Sequence, residues 1–324
     1  MPGEQGYTPS GQLVVNHRLT GLADAVGDKL RPSKTEAGYA RDWILWQDFL
    51  RQMEIPPDVP ADRDLLIGFV MWLDKVHRAA PATMTRRITG VRSKLRRKGT
   101  PVEAGAAKEV ANLIEHFAAD PEIARRGRGK AKAATVQDVK AMARIADTST
   151  LVGKRDRALA LISFNIAGRS AEVAALRFEG IRLESKGLNV AIPKIKRTPA
   201  RDAVVGYGSG ETCPVHAWLS WKEAAGLAEG PAFQGIDRWG NLSGRHMAPE
   251  SCARIIKKLS SLAETPLYTG HSMRSGYITE TRKAGKREEK IRAVSGHSPK
   301  SHIFWGYIQE ADKWEDAAGV DLGF

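Results

Sequence analysis

The second half of this 324-residue sequence holds several short motifs whose residue types suit one task, breaking a phosphodiester. Arg169 follows Ala167-Gly168 at the end of an apolar helix, and Glu172 stands three residues on, where another helix starts. A guanidinium so placed offers a planar, permanently charged fork to two phosphate oxygens while the carboxylate fixes its stem. The same spacing also suits a plain surface ion pair. Lys194 and Lys196 lie in Ile192-Pro193-Lys194-Ile195-Lys196-Arg197-Thr198. A lysine on a hairpin can enter a DNA groove and protonate a leaving oxygen if neighbouring cations lower its pKa. Most surface lysines are merely solvated.

His271 and Arg274 are three residues apart in His271-Ser272-Met273-Arg274, so on a helix both project from one face and could clamp one phosphate. Gly296-His297 comes ten residues before Tyr307, which directly follows Trp305 and Gly306. Taken singly, such pairs arise often by chance. No carboxylate cluster of the kind that binds Mg²⁺ accompanies them, so the reading is chemistry with no metal and no cofactor.

These residues need elements to hold them. Between about residues 188 and 207, Val190, Ile192, Val204 and Val205 predict short strands flanking a polar turn that carries the lysines. Helices are predicted over 153–166, 214–226, 249–263, 271–284 and 287–295, with a short amphipathic tail at 311–318. Thr135 is set to cap the first helix of this region, with Asp138 at the reciprocal position.

The first half reads as all-helical. Tyr39, Trp43, Trp46, Phe49 and Leu50 recur at intervals of three and four, and Pro56-Pro57 ends the run. Leu65, Leu66, Phe69, Val70, Trp72 and Leu73 follow Asp62 as a second helix. A third opens at Pro81 with Met84, Ile88, Val91 and Leu95 on one face. Arg86, Arg87, Arg92, Lys94, Arg96, Arg97 and Lys98 crowd the rest of it, and no acidic residue interrupts the set. Their mutual repulsion destabilises the helix unless something neutralises it, which points to phosphate contact rather than a solvated basic face. A fourth helix is expected over 104–118. The Gly-interrupted stretch holding Arg126, Arg128, Lys130 and Lys132 reads as a basic linker, able to lie along DNA or to act as a plain tether.

The chain carries 50 Lys and Arg against 37 Asp and Glu, a formal charge of +13, which favours a polyanionic partner. No apolar run approaches the roughly 20 residues of a membrane span, and the first residues lack a signal-peptide layout. The expectation is a cytoplasmic protein with no membrane partner. Cys213 and Cys252 are far apart and read as two ordinary buried thiols.

Ala167-Gly168-Arg169-Ser170-Ala171-Glu172 with Leu176, Gly270-His271-Ser272-Met273-Arg274-Ser275-Gly276, Gly296-His297-Ser298 and Gly306-Tyr307-Ile308 resemble, in order, the Arg, His-x-x-Arg, Gly-His and Tyr boxes of the tyrosine recombinase (phage integrase) family. Thr212-Cys213-Pro214-Val215 through Trp218, and Gly230-Pro231-Ala232-Phe233, are similar to its connecting segments, so the likeness spans roughly residues 135–318. Residues 35–118 resemble the family's core-binding domain in length, helix count and charge.

The resemblance implies a mainly α fold with a small antiparallel β-sheet in the second domain, forming a two-domain DNA clamp. The boundaries are a flexible arm at 1–34, a helical, SAM-like core-binding domain at 35–120, the linker at 121–133, and a catalytic domain at 134–324 with its tail from about 309. It implies Tyr307 as nucleophile, Arg169 and Arg274 as phosphate clamp, and His271 bonding the phosphate and assisting proton removal. Glu172 holds Arg169, and a strand lysine, Lys196 or alternatively Lys194, protonates the leaving 5′ oxygen. His297 contacts a non-bridging oxygen; the segment from it to Tyr307 is one residue longer than the family pattern, which leaves Trp305 as the alternative.

The implied activity is site-specific cleavage and rejoining of DNA through a 3′-phosphotyrosyl intermediate, for integration, excision or resolution. A type IB topoisomerase, a telomere resolvase or an inactive sequence-specific DNA-binding protein are the alternatives. The implied partners are double-stranded DNA with inverted-repeat half-sites and further copies of the chain, a dimer on each site and a tetramer in synapsis.

Overall fold

The computed structural model describes residues 33–314 apart from Arg128, Lys130, Lys196, Arg197 and Leu227, together with Ala317. The expected arm, with its apolar patch at Leu19, Leu22, Ala23 and Val26, and most of the tail lie outside the described residues. The chain divides into two compact units, Met1–Gly129 and Lys130–Phe324. No described helix is long and apolar enough to cross a membrane.

The first unit is helical: α1 (Ser33–Gln52), α2 (Arg63–Lys75), α3 (Pro81–Arg97), α4 (Ala104–Ala119) and a single turn, α5 (Pro121–Ala124). Asp62 caps α2 by accepting the Leu65 N–H at 2.8 Å, and Pro81 opens α3, where a missing N–H costs nothing. Trp46, Phe49, Phe69 and Trp72 form an aromatic centre with ring centroids 5.1–5.9 Å apart. Met84, Ile88, Val91 and Leu95 of α3 are buried against it, as their spacing predicts.

The basic face of α3 is partly neutralised from within. Arg86 Nη1 lies 2.6 Å from the buried carboxylate of Asp42, and Arg97 pairs with Glu36; both acids lie on α1. Arg126 pairs with buried Asp74. The acidic partners are absent from the helix itself but present on its neighbour, so repulsion along α3 is a weaker argument for phosphate than the sequence suggests. Arg92, Arg96 and Lys132 are exposed, while Arg87 and Lys94 are half-buried. Arg128 and Lys130 lie outside the described residues.

The second unit runs α6 (Val136–Ile145), α7 (Leu151–Asn165), α8 (Ser170–Ala174), β1 (Ile181–Glu184), β2 (Gly187–Ile192), β3 (Arg201–Gly206), α9 (Pro214–Ala225), β4 (Gln234–Ile236), β5 (Leu242–His246), α10 (Pro249–Leu262), α11 (Gly270–Lys283), α12 (Glu288–Ser295) and α13 (His302–Asp312). Helix α7 is apolar on nearly every side, with Ala158 through Ile162 all buried, and forms the middle of the main core. Strands β1, β2 and β3 form an antiparallel sheet in that order, with Ile192 opposite Arg201 at its end. Val190, Ile192, Ala203 and Val205 point into the core, whereas Val204, one residue out of phase, is exposed. Beyond the strands, Ile195 and Thr198 exchange backbone hydrogen bonds of 3.1 and 2.9 Å. The mainly helical fold with small antiparallel sheets agrees with the sequence reading.

One local expectation is extended and another needs correction. Thr135 accepts the Asp138 N–H at 3.1 Å, and the Asp138 carboxylate has the Thr135 backbone among its hydrogen-bond partners. It also accepts from the Thr135 and Tyr268 hydroxyls, each at 2.7 Å, which adds a tertiary tie to the local one. The chain does not become a tail near residue 309: α13 continues to Asp312, because Phe304, Ile308 and Ala311 bury one helical face.

Candidate active site

Most of the candidate residues gather where α7 ends. Ala167 adopts a left-handed conformation, with φ of 48°, and turns the chain so that Arg169 becomes the N-cap of α8. The Arg169 backbone N–H donates to Glu172 Oε2 at 2.8 Å and its Nη1 donates to Oε1 at 3.0 Å. The Arg169 side chain remains about one-third exposed at 34%. Glu172 is buried, which alone would raise its pKa, yet its carboxyl is held below the usual range. The opposing influence is the fork of Arg201, followed by the Arg169 backbone and the charges of both arginines.

Arg201 was not foreseen. It opens β3 and is nearly buried, and its two Nη atoms meet the two oxygens of Glu172 at 3.0 Å each. Its Nε donates to the Val294 carbonyl at 2.7 Å. A signal did exist: Arg201 is in phase with Ala203 and Val205, the inward positions of the strand, where an unpaired cation would be untenable.

Arg274 projects from the second turn of α11 into the same cluster. Its Nη1 donates to the Ala167 carbonyl at 2.8 Å and sits 3.9 Å from Glu172 Oε2. Its Nη2 faces His297 at 3.2 Å from Nε2. Burial, then the charges of Arg169 and Arg201, pull the guanidinium down to about 9, and the Tyr307 phenol is an electrostatic neighbour acting in the opposite sense. His297 is pushed down to about 3 by burial and the three arginines, so the ring is neutral. Ser295 Oγ donates to the Arg292 carbonyl and lies 3.0 Å from His297 Nδ1. Arg274 Nη2 is also 3.3 Å from Nδ1, so the ring is held between the Ser295 hydroxyl and the guanidinium.

His271, in the first turn of α11, is exposed at the rim. Tyr307 lies on α13, half-buried against a cluster of Ile278, Ile291, Phe304 and Ile308. Trp305, on the same helix, gives its indole N–H to the Pro299 carbonyl at 3.0 Å, so that donor is already engaged. Lys194 is exposed, and Lys196 lies outside the described residues. Among the described residues no three His, Cys, Asp or Glu side chains are grouped so as to hold a metal ion. The arrangement amounts to three guanidiniums and one carboxylate around a neutral imidazole, with the Tyr307 phenol within electrostatic range of Arg274, an excess of positive charge suited to an anion whose charge grows during reaction.

No family model matches the chain. A protein of Selenomonas ruminantium described as an integrase/recombinase xerD homolog is 25% identical over 309 residues, covering 94% of this chain and 89% of that one. Two solved structures share the fold. XerH site-specific recombinase bound to palindromic difH substrate, a post-cleavage complex, superposes with a TM-score of 0.60 at 14% identity, over 86% of this chain and 80% of that one. A lambda integrase tetramer bound to a Holliday junction gives 0.58 at 10% identity, over 93% and 84%. This chain is thus similar along nearly its whole length to a protein described as an integrase/recombinase homolog, and it shares the fold of a site-specific recombinase and an integrase solved on DNA.

Proposed function

We propose that the chain cleaves and rejoins DNA strands at specific sites through a 3′-phosphotyrosyl intermediate. The observation that carries this is the convergence of Arg169, Arg274 and His297 around buried Glu172, with Tyr307 as electrostatic neighbour of Arg274. The Tyr307 oxygen attacks phosphorus, the P–O5′ bond breaks, and the 5′ oxygen leaves with a proton. A phenol has a reference pKa near 10, so its own proton must be taken during the attack, a task this reading gives to His271. Arg169 and Arg274 oppose the charge that builds on the non-bridging oxygens. The incoming phosphate also offsets the cations that keep His297 neutral, which lets that ring donate to an oxygen. A hairpin lysine, Lys196 with Lys194 as alternative, supplies the proton to the leaving group.

The phosphotyrosyl ester retains the energy of the original linkage, so a 5′ hydroxyl can displace Tyr307 and reseal the strand without ATP. Exchange between two duplexes, each with a pair of inverted half-sites, takes four protomers, in keeping with the lambda integrase tetramer on a Holliday junction. The exposed cations of α3, Arg92 and Arg96 foremost, together with Arg86, Arg87, Lys94 and Arg97 and the linker residues Arg126, Arg128, Lys130 and Lys132, supply phosphate contacts that set the salt dependence of binding. Such a protein acts where the DNA is, in the cytoplasm, and on the nucleoid if it is prokaryotic or phage-encoded.

The test uses a duplex selected from a random pool by the wild-type chain and nicked beside the scissile phosphate, so that the short 5′-hydroxyl fragment diffuses away. Denaturing electrophoresis then shows a protein–DNA adduct with wild type and none with Tyr307→Phe. An adduct that persists in Tyr307→Phe overturns the assignment.

A further inference from the structure

Arg201 does more than fill a charge vacancy. From the end of β3, opposite Ile192, one side chain reaches two separately positioned pieces of the site: Glu172 on α8 and the Val294 carbonyl at the end of α12, two residues before Gly296-His297. Gly296 is part of this fit. Its φ is 66°, and a Cβ there would stand 3.1–3.2 Å from the Cδ, Nε and Cζ of Arg201, so the turn that presents His297 is laid directly on the arginine stem.

We propose that Arg201 is a positioning residue for strand cleavage, which occupies both oxygens of Glu172 so that the forks of Arg169 and Arg274 stay turned toward the phosphate. This rests on the recombinase reading of the site. The competing geometry is plain from the distances. Arg169 Nη1 is already 3.0 Å from Glu172 Oε1, and Arg274 Nη1 is 3.9 Å from Oε2, about an ångström outside hydrogen-bond range. Were Arg201 absent, the buried carboxylate would have only these two cations left. Closing of Arg274 onto the freed oxygen would withdraw that clamp by about an ångström, a displacement that costs on the order of a hundredfold in rate. Arg201 meets both oxygens of Glu172 with its two Nη atoms, a paired contact that neither clamp arginine makes, so it holds the carboxylate most firmly.

The test compares wild type, Arg201→Met, Arg201→Lys, Glu172→Gln and the double variant Glu172→Gln/Arg201→Met in adduct formation on the selected nicked duplex, with DNA affinity measured separately. Arg201→Met should cleave about thirty- to a hundredfold more slowly while binding within about threefold of wild type. Adding Glu172→Gln should restore at least about tenfold of that loss, because an uncharged amide no longer draws the clamp arginines away. The ratio of Arg201→Met to wild-type rate should also rise as pH falls from about 8 to 6, since an orphaned buried carboxyl takes up a proton more readily.

A simple packing role predicts the opposite pattern: losses that add or worsen in the double variant, no change of the ratio with pH, or DNA binding lost in parallel with cleavage. Any of these sinks the proposal. If Arg201→Met does not fold, Arg201→Lys, which keeps the charge but cannot grip both oxygens, is compared with and without Glu172→Gln by the same criteria. Failure of wild type itself to form an adduct would overturn the recombinase reading, whereas wild-type cleavage with an unaffected Arg201→Met overturns only this inference.

Discussion

Arg274 donates to the carbonyl of Ala167 at 2.8 Å, so a buried cation is aimed by a backbone group that itself stands in a left-handed turn. That carbonyl fixes one end of the guanidinium and His297 meets the other, which leaves little freedom for the fork to wander. A lysine is a single point donor and cannot satisfy both. Arg274→Lys should therefore slow adduct formation roughly a hundredfold, the scale of losing one donor to a developing oxyanion. Affinity for the selected duplex should stay within about threefold; a variant that cleaves at the wild-type rate would remove Arg274 from the clamp.

His297 gives the free protein an acid weakness of defined sign. Its folded pKa, about 3, lies below the unfolded value near 6.5, so the unfolded chain binds this proton first. Stability is then lost as pH falls from about 6.5 toward 3. Glu172, with a lowered folded pKa, adds a loss of the same sign only below its unfolded value of about 4.5. His77, also lowered by burial, contributes a separate slope in the first unit. Thermal melts at pH 7 and pH 5 should show a smaller pH-induced drop in Tm for His297→Gln than for wild type. Equal drops would mean that the imidazole is not held neutral.

Gly276 decides how α11 seats against the start of the second unit. A Cβ there would fall 2.1 Å from the Ala134 carbonyl oxygen, and the Ala134 N–H donates to the Ser272 carbonyl one turn earlier. An exposed helix gains about 1 kcal/mol when Gly becomes Ala, but a clash with backbone cannot be relieved by a rotamer change. Gly276→Ala should therefore destabilise the unit by about 2 kcal/mol net, lowering its Tm by roughly 4–8 °C. A Tm at or above that of wild type would show that the segment before α6 has room to yield.

Much of this was legible because helical stripes are long-range averages. Met84, Ile88, Val91 and Leu95, or the all-round apolar α7, announce themselves over many residues. The short strands β1, β4 and β5 and the helix α13 were not foreseen. Three to five residues carry little period, and in α13 Trp305, Gly306 and the exposed Ile303 blur the face defined by Phe304, Ile308 and Ala311. Of the site, Arg169, Glu172, Arg274, His297 and Tyr307 could be singled out from ordered motifs. Arg201 was missed although its inward strand phase offered a signal, because its partner is a carboxylate 29 residues away that no local pattern connects to it. The acids that answer the α3 cations were hidden for the same reason, Asp42 standing 44 residues from Arg86.

Tyr307 sits apart from the main core, on four buried side chains of its own, with Tyr277 packed against both clusters. The proposed clamp and the proposed nucleophile therefore rest on hydrophobic clusters of different size. A small cluster opens at lower free energy than a large one, so amide protons of α13 should exchange with solvent sooner than those of α7. On the proposed chemistry, the phenol would then be released by a smaller fluctuation than the guanidiniums, and the two halves of the reaction would obey separate clocks.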